Sequence, residues 1–501
     1  MTRRRSARAL CALSRFVALV AAAPAPGCKQ RQTPEMQLVD EALHALGGRT
    51  AVEAARTLVV EGEGETFVLG QGRRPGDALE FHVTAFKRAT DFGGGRWRQE
   101  QVLTPQFVRS DPRPEREVTA LDGAIAFDVQ GDGSASREPD SVARDRQAEL
   151  VHSPLGVVRA AIAPGAVLSG RRRVGGHEVV DLRAPGGGLY TLTIDGATKL
   201  PLKVSSTTDH VNLGDVVVET EFGGYERADD LKLPTRIVTK LERDTINSIR
   251  VSKSLVNAPV GDLAAPPSVR AASPAPPAPS VQVDELAPGV WLFAGGRAHS
   301  VVVEFADHLT LIEAPTDDAR TLAVIAKARE LRPPKPLTEV VLTHHHFDHV
   351  GGVRAAISEG LAIVAHERNG RFLESIASRP HAVAPDALAK RPRPLTLRAV
   401  GAEATLEDAT RTLRLFSAES RHADAMLVAH LPRERLLVEA DLYTATPPNE
   451  PALRSPHAPN LLEVVTSRNL GVDRVVPLHR QTVPLAELIA AAKQAPPPTA
   501  L

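Results

Sequence analysis

A chain of 501 residues exceeds what one ordinary core absorbs, so two domains are expected. Lys and Arg total 60, as do Asp and Glu, and no long basic stripe appears beyond the N-terminus, which argues against nucleic acid as a partner. The two cysteines, Cys11 and Cys28, leave no room for a disulfide framework in an exported chain.

Residues 1–28 read as an export signal. Arg3, Arg4, Arg5 and Arg8 form a basic start, Phe16 to Ala23 is a short apolar run, and small residues lead to Ala25-Pro26-Gly27-Cys28. Cleavage before Cys28 would put that cysteine first, where it resembles the acylated cysteine of bacterial lipoproteins. This implies a periplasmic or cell-envelope protein that meets the membrane only through a lipid anchor at Cys28. Arg15 inside the apolar run and Pro26 in place of a small residue leave open cleavage without a lipid. The roughly 20 consecutive apolar residues of a transmembrane helix are missing.

Residues 34–257 form the expected first domain, α+β with an antiparallel sheet. Met36 to Leu43 has helical patterning, and Gly47-Gly48 is a helix stop that precedes a second short helix. Leu58 to Glu63, Glu80 to Phe86, Arg96 to Glu100, Val216 to Thr220 and Arg236 to Lys240 are predicted strands with Gly- and Asp-rich connections. Ile194-Asp195 leading to Lys199-Leu200-Pro201-Leu202 echoes Asp229 to Thr235, each a turn, a Leu-Pro and a new strand, as in successive hairpins of one sheet. The arrangement faintly resembles the curved-sheet lipoprotein-sorting proteins of the periplasm, whose concave face holds an acyl chain; a generic sheet without ligand is the simpler reading.

Residues 258–280 are rich in Pro and Ala, with few large apolar side chains, and read as an extended, semi-rigid linker. They isolate a second domain at 281–492, and a Pro-rich tail at 493–501 is expected to fray. That second domain opens with predicted strands at Gly289 to Ala294, Ser300 to Glu304 and Leu309 to Ala314.

Its defining stretch is Leu342-Thr343-His344-His345-His346-Phe347-Asp348-His349-Val350-Gly351-Gly352. Val340 to Leu342 is a buried strand by composition, and Gly351 with the small residues after it reads as a helix start, so the polar residues fall on the loop between. In extended chain, residues two apart face the same way, so His344 and His346 can present both imidazoles to one ion. Asp348 and His349 lie where the chain begins to turn, able to reach a second ion roughly 3.5 to 4 Å away. Three adjacent histidines alone suit a surface cluster equally well; the Asp348-His349-x-Gly-Gly sequel to an apolar strand does not.

The segment resembles the His-x-His-x-Asp-His motif of the metallo-β-lactamase-fold hydrolases, which implies an αββα sandwich for the second domain. Downstream, Glu419 to Val428 resembles the third-histidine segment, with His422 joining His344 and His346 on one ion. Arg435 to Leu442 resembles the strand ending in a bridging aspartate, Asp441, and Val475 to His479 the closing strand whose histidine joins Asp348 and His349. Glu313 stands where the family usually has aspartate, and Arg480 where glycine is common; exposure is the simpler reading of Arg480. His345, His366, His381 and His430 are assigned to structure or surface.

The resemblance implies two divalent ions, zinc being favoured by the histidine-rich set, and water acidified from a pKa of about 15.7 toward about 7 to give hydroxide. Asp348 would also orient that nucleophile or pass its proton. No cysteine stands at the bridging position, which excludes the cysteine-type β-lactamases. Their carboxylate-binding lysine is also replaced, by Thr444. A glyoxalase II-like thioesterase uses a longer C-terminal helical extension than residues 480–501 provide. The resemblance leaves the substrate open among small molecules with an ester, lactone, thioester or amide bond, a β-lactam included. A different class remains: a cell-envelope carrier lipoprotein whose second domain holds metal without catalysis.

Overall fold

The computed structural model describes residues 33–109, 113–275, 278–447 and 453–495. The expected signal at 1–28, with Cys28, and residues 496–501 of the expected tail lie outside them.

The chain enters through helix Pro34–Leu46, capped by the Thr33 hydroxyl, which accepts the Met36 N–H at 3.2 Å. Leu38, Val39, Ala42, Leu43 and Leu46 recur at helical spacing and are all buried, against helix Pro154–Ile162 and the strands that follow it. A thirteen-stranded antiparallel sheet spans 57–256. Strands β1 (Thr57–Leu69) and β2 (Ala78–Asp91) begin one meander, and the last strand, Asp244–Val256, returns to pair with β1 at the sheet's centre. Each predicted strand of this region lies within an observed one. The two echoed turns differ in what they build. Residues 195–200 close a hairpin of the large sheet, whereas Asp229-Asp230 turns a separate two-stranded sheet, Glu226–Ala228 with Leu231–Leu233. The main sheet resumes only at Arg236, after Pro234, which cannot donate to a ladder.

The 258–280 segment departs from the extended linker expected of it. Pro267–Ala271 is helical, and Leu263, Ala265 and Val269 are buried. Ala265 and Val269 pack with Ala120 and Phe127, while Asp122 accepts the Ala265 N–H at 3.0 Å and pairs with Arg270. Leu263 packs with Val59 and Ala89, so three apolar side chains and one buried carboxylate anchor the segment.

Beyond it two sheets face each other. The first runs Gln282–Ala287, Val290–Ala294, Ser300–Glu304 and Leu309–Ile312 antiparallel, then Leu337–Val341, Ala362–His366 and Leu397–Val400 parallel. The second runs from Glu403–Glu407 to Val483–Pro484. Leu292, Val301, Val303 and Val341 of one meet Leu415, Leu427, Leu436 and Val476 of the other in a dry layer. Helices Asp318–Leu331, Val353–Ser358 and Gly370–Ser378 cover the outer face of the first sheet. Ala458–Ser467 and Leu485–Gln494 cover the second. This is the αββα sandwich expected of the second domain. Its last helix continues two residues past 492, into the expected tail. Among the described residues, no helix is long and apolar enough to cross a membrane.

Two loops of the thirteen-stranded sheet pack against this sandwich. Asn212 donates to the Thr316 and Gly351 carbonyls at 3.1 and 3.2 Å, and Asp215 accepts the Ala382 and Val383 N–H groups at 2.8 and 2.9 Å. The second contact is the β1–β2 turn, residues 70–77, which reaches the histidine-rich loop.

A two-centre histidine and aspartate cluster

Strand Leu337–Val341 sits between parallel neighbours, so its C-terminal end opens where the sheet's edge meets the second sheet. The Thr343 N–H donates to buried Glu313 at 3.0 Å, which ties the loop to the preceding strand. The helical turn begins at Phe347, not at Gly351 as expected, because the Val350 and Gly351 N–H groups already bond back to His346 and Phe347. His344 and His346 therefore leave the strand extended, while Asp348 and His349 ride the first helical turn.

The other residues arrive at the same point from the second sheet. His422 precedes strand Met426–Leu431, its N–H held by the Ser420 hydroxyl at 3.0 Å. Asp441 follows strand Leu436–Glu439 with φ of 64°, a left-handed conformation, and His479 follows Arg474–Pro477. Arg480 is exposed, and the Thr444 N–H bonds the Ser455 hydroxyl.

Asp441 is the hub. Its Oδ2 lies 3.3, 3.1 and 3.0 Å from the Nε2 atoms of His344, His422 and His349, and its Oδ1 lies 2.9 Å from His479 Nε2. His344, His346, His422 and Asp441 form one group, and Asp348, His349, His479 and Asp441 another; within each, the donor atoms all lie within 4.8 Å of one another. Every sequence-predicted site residue is brought together here. His345, by contrast, turns away and donates to the Gly72 carbonyl at 3.1 Å.

The donor chemistry fits metal. His479 Nδ1–H donates to the Arg297 carbonyl at 2.7 Å, so Nε2 is the nitrogen turned toward Asp441 and can give its lone pair to a cation placed there. His346 Nε2–H donates to the Gly72 carbonyl at 2.8 Å, leaving its buried Nδ1 without a partner. Imidazole nitrogens face each other at 3.0 Å between His349 and His479 and at 3.3 Å between His344 and His422. Facing lone pairs repel unless a cation or proton lies between them.

Among themselves the protein groups divide into opposite charges. Burial opposes ionisation of Asp348 and Asp441, yet the surrounding histidines outweigh it and hold both carboxyls well below the usual range. Burial likewise disfavours the imidazolium of His349 and His479, but the aspartates push these up to about 9 and about 11. Farther out, burial raises Glu313 to about 7 and Glu439 to about 8.

Some contributors carry no signal of their own in the sequence. Glu439 accepts the N–H groups of Leu442 and Tyr443 at 2.9 and 3.2 Å and so holds the turn that presents Asp441. His457 packs its ring 5.7 Å from that of His422, and burial lowers it to about 4. Gln71 Nε2 donates to Asp348 Oδ1 at 2.8 Å from the other domain.

An αββα sandwich with these paired groups at one end defines a metal-site architecture of the hydrolase type. Residues 294–479 match the model of the metallo-beta-lactamase superfamily, and this part of the chain is a metallo-β-lactamase superfamily domain. Similar solved structures include a metallo-beta-lactamase from Pontibacter korlensis (16% identity, 43% of this chain and 98% of that one, TM-score 0.33). Another is FIM-1 from Pseudomonas aeruginosa in its mono-zinc form (18%, 42% and 93%, 0.33). A third is a metallo-beta-lactamase from Hirschia baltica (17%, 42% and 96%, 0.33). No curated protein matches the chain.

Proposed function

We propose that the protein is an exported hydrolase that holds two divalent ions, zinc by preference, and cleaves an ester, lactone, thioester or amide bond in a small molecule, a β-lactam included. His344, His346 and His422 would hold one ion, Asp348, His349 and His479 the other, with Asp441 shared. The observation that carries this reading is the convergence of both groups on the two oxygens of Asp441. When bound, the ions supply Lewis acidity, which acidifies water and polarises a carbonyl oxygen.

The chain's own residues do the rest. Asp348 Oδ1 accepts from Gln71 and Oδ2 lies 3.3 Å from His479 Nε2, so this carboxylate would both ligate and orient the attacking water or pass its proton. Arg297 and Gly72 carbonyls fix the tautomers of His479 and His346. His344, His346 and His349 are buried, whereas Asp348, His422, Asp441 and His479 keep partial exposure, so the cluster is open on one side to water and to a small substrate. No serine or cysteine nucleophile is needed; Ser420 serves the backbone of His422.

For location, the sequence at 1–28 supports export to the periplasm or cell envelope, with a lipid anchor at Cys28. Nucleic acid is not a partner in this reading. The test is hydrolysis by the full chain of a chromogenic cephalosporin and a panel of esters, lactones and thioesters. Turnover that is lost in His346→Ala and Asp348→Asn, with the fold retained, supports the hydrolase. Metal uptake without turnover on any substrate would favour the carrier lipoprotein instead.

A further inference from the structure

The β1–β2 turn belongs to one domain and touches the metal loop of the other at consecutive positions. Phe347 N–H donates to the Gly70 carbonyl at 3.1 Å, Gln71 Nε2 to Asp348 at 2.8 Å, and His345 and His346 both donate to Gly72. The next residue accepts the Asp424 N–H at its own carbonyl, at 2.9 Å, and the Arg73 and Arg74 side chains close on the Asp424 carboxylate.

Glycine is required for this approach. Gly70 has φ of 69°, and a Cβ there would lie 2.2 Å from the Phe347 ring. A Cβ on Gly72 would meet the Asp77 backbone at 2.5 Å. Gly70 thus lets bare backbone lie against Phe347 of the metal loop, Gly72 lets the turn close on its own Asp77, and the Asp424 pairs hold the turn in place.

We propose that this turn is a working part of the metal centre, with Gln71 and the Gly72 carbonyl as positioning groups for Asp348 and His346. The inference rests on the reading of those two residues as metal ligands. A histidine can ligate through either nitrogen, and the hydrogen bond made by the other decides which. Gly72 takes the Nε2–H of His346 and so directs its Nδ1 into the cluster. Gln71 engages one oxygen of Asp348 and leaves the other to the site. The metal affinity of the sandwich thus depends on a domain some 270 residues earlier in the chain.

The test uses the full-length protein, wild type, Gln71→Leu and Gly72→Ala. Zinc affinity is measured by competition with a chromogenic chelator, and ligand geometry by the visible absorption spectrum after cobalt(II) loading. The expected result is a loss of about 10- to 100-fold in affinity for at least one ion, with a shifted cobalt spectrum. Gln71→Leu removes one side-chain amide from a half-buried position, so it keeps the fold and decides the matter if Gly72→Ala loosens the turn. Wild-type affinity and spectrum in Gln71→Leu would overturn the proposal while leaving the hydrolase reading intact. Failure of the wild type to bind zinc or cobalt would overturn both.

Discussion

Glu439 accepts the backbone N–H of Leu442 at 2.9 Å from a carboxylate with no solvent exposure. The bond bends the chain so that Asp441, between them, sits at positive φ and faces both ligand groups. The strain of that left-handed residue persists because the buried acid holds the turn on either side.

Glu439→Gln retains a carbonyl oxygen for the Leu442 and Tyr443 N–H groups and should keep both fold and metal content. Glu439→Ala leaves the buried Tyr443 N–H without its acceptor and Leu442 with only the Ala440 carbonyl at 2.9 Å, costing about 1 to 3 kcal/mol, and should release Asp441 from its position. Denaturant unfolding with metal analysis separates the two. Equal stability and metal content in both variants would contradict the role given to Glu439.

Glu313 carries a related load with one difference from the family pattern. Its longer side chain places Oε1 on the Thr343 N–H and leaves Oε2 3.8 Å from His349 Nδ1. Glu313→Asp, though it restores the usual residue, should destabilise by about 1 kcal/mol or more because the shorter acid draws away from Thr343. A stability equal to or above wild type would show that the loop adapts to either length.

Asp424 gathers Arg73, Arg74 and Arg368 on one largely buried carboxylate. Asp424→Ala should free the β1–β2 turn, read as several-fold faster tryptic cleavage between Arg73 and Arg74. An unchanged cleavage rate would mean the Gly70 and Gly72 backbone contacts hold the turn alone.

His152 should set an acid limit for the first domain. It lies between the Thr220 and Ser206 hydroxyls at 3.0 and 2.9 Å, and burial lowers it from 6.5 to about 4. Between those values the unfolded chain binds more protons than the folded one, so stability rises with pH across the window. The contribution is complete above pH 6.5 and falls away toward about 4, on the order of 3 kcal/mol. His152→Gln should flatten the pH dependence of first-domain unfolding between those limits; an identical slope would contradict it.

The site was legible from sequence because its ligands sit on or beside short apolar strands, in an order that local spacing preserves. Val340 to Leu342 and Val475 to Leu478 announce buried strands, and the residues that follow can only lie at their ends. The helix start at Phe347 was missed because Asp348 and His349 carry no helix signal; tertiary contacts impose the turn. Gly70-Gln71-Gly72 reads like any exposed turn, and nothing local tells that it docks on another domain. The 258–280 segment misled for the opposite reason. Its composition suits a linker, yet one buried carboxylate, Asp122, and the buried Leu263, Ala265 and Val269 dock it.

The sharing of Asp441 by both ligand groups carries the two-ion reading. Its most direct test is the zinc content of the full-length protein after loading and exhaustive dialysis, measured by elemental mass spectrometry. About two ions per chain are expected, falling in Asp441→Ala. A content near zero in the wild type, even after loading, would contradict the two-ion reading.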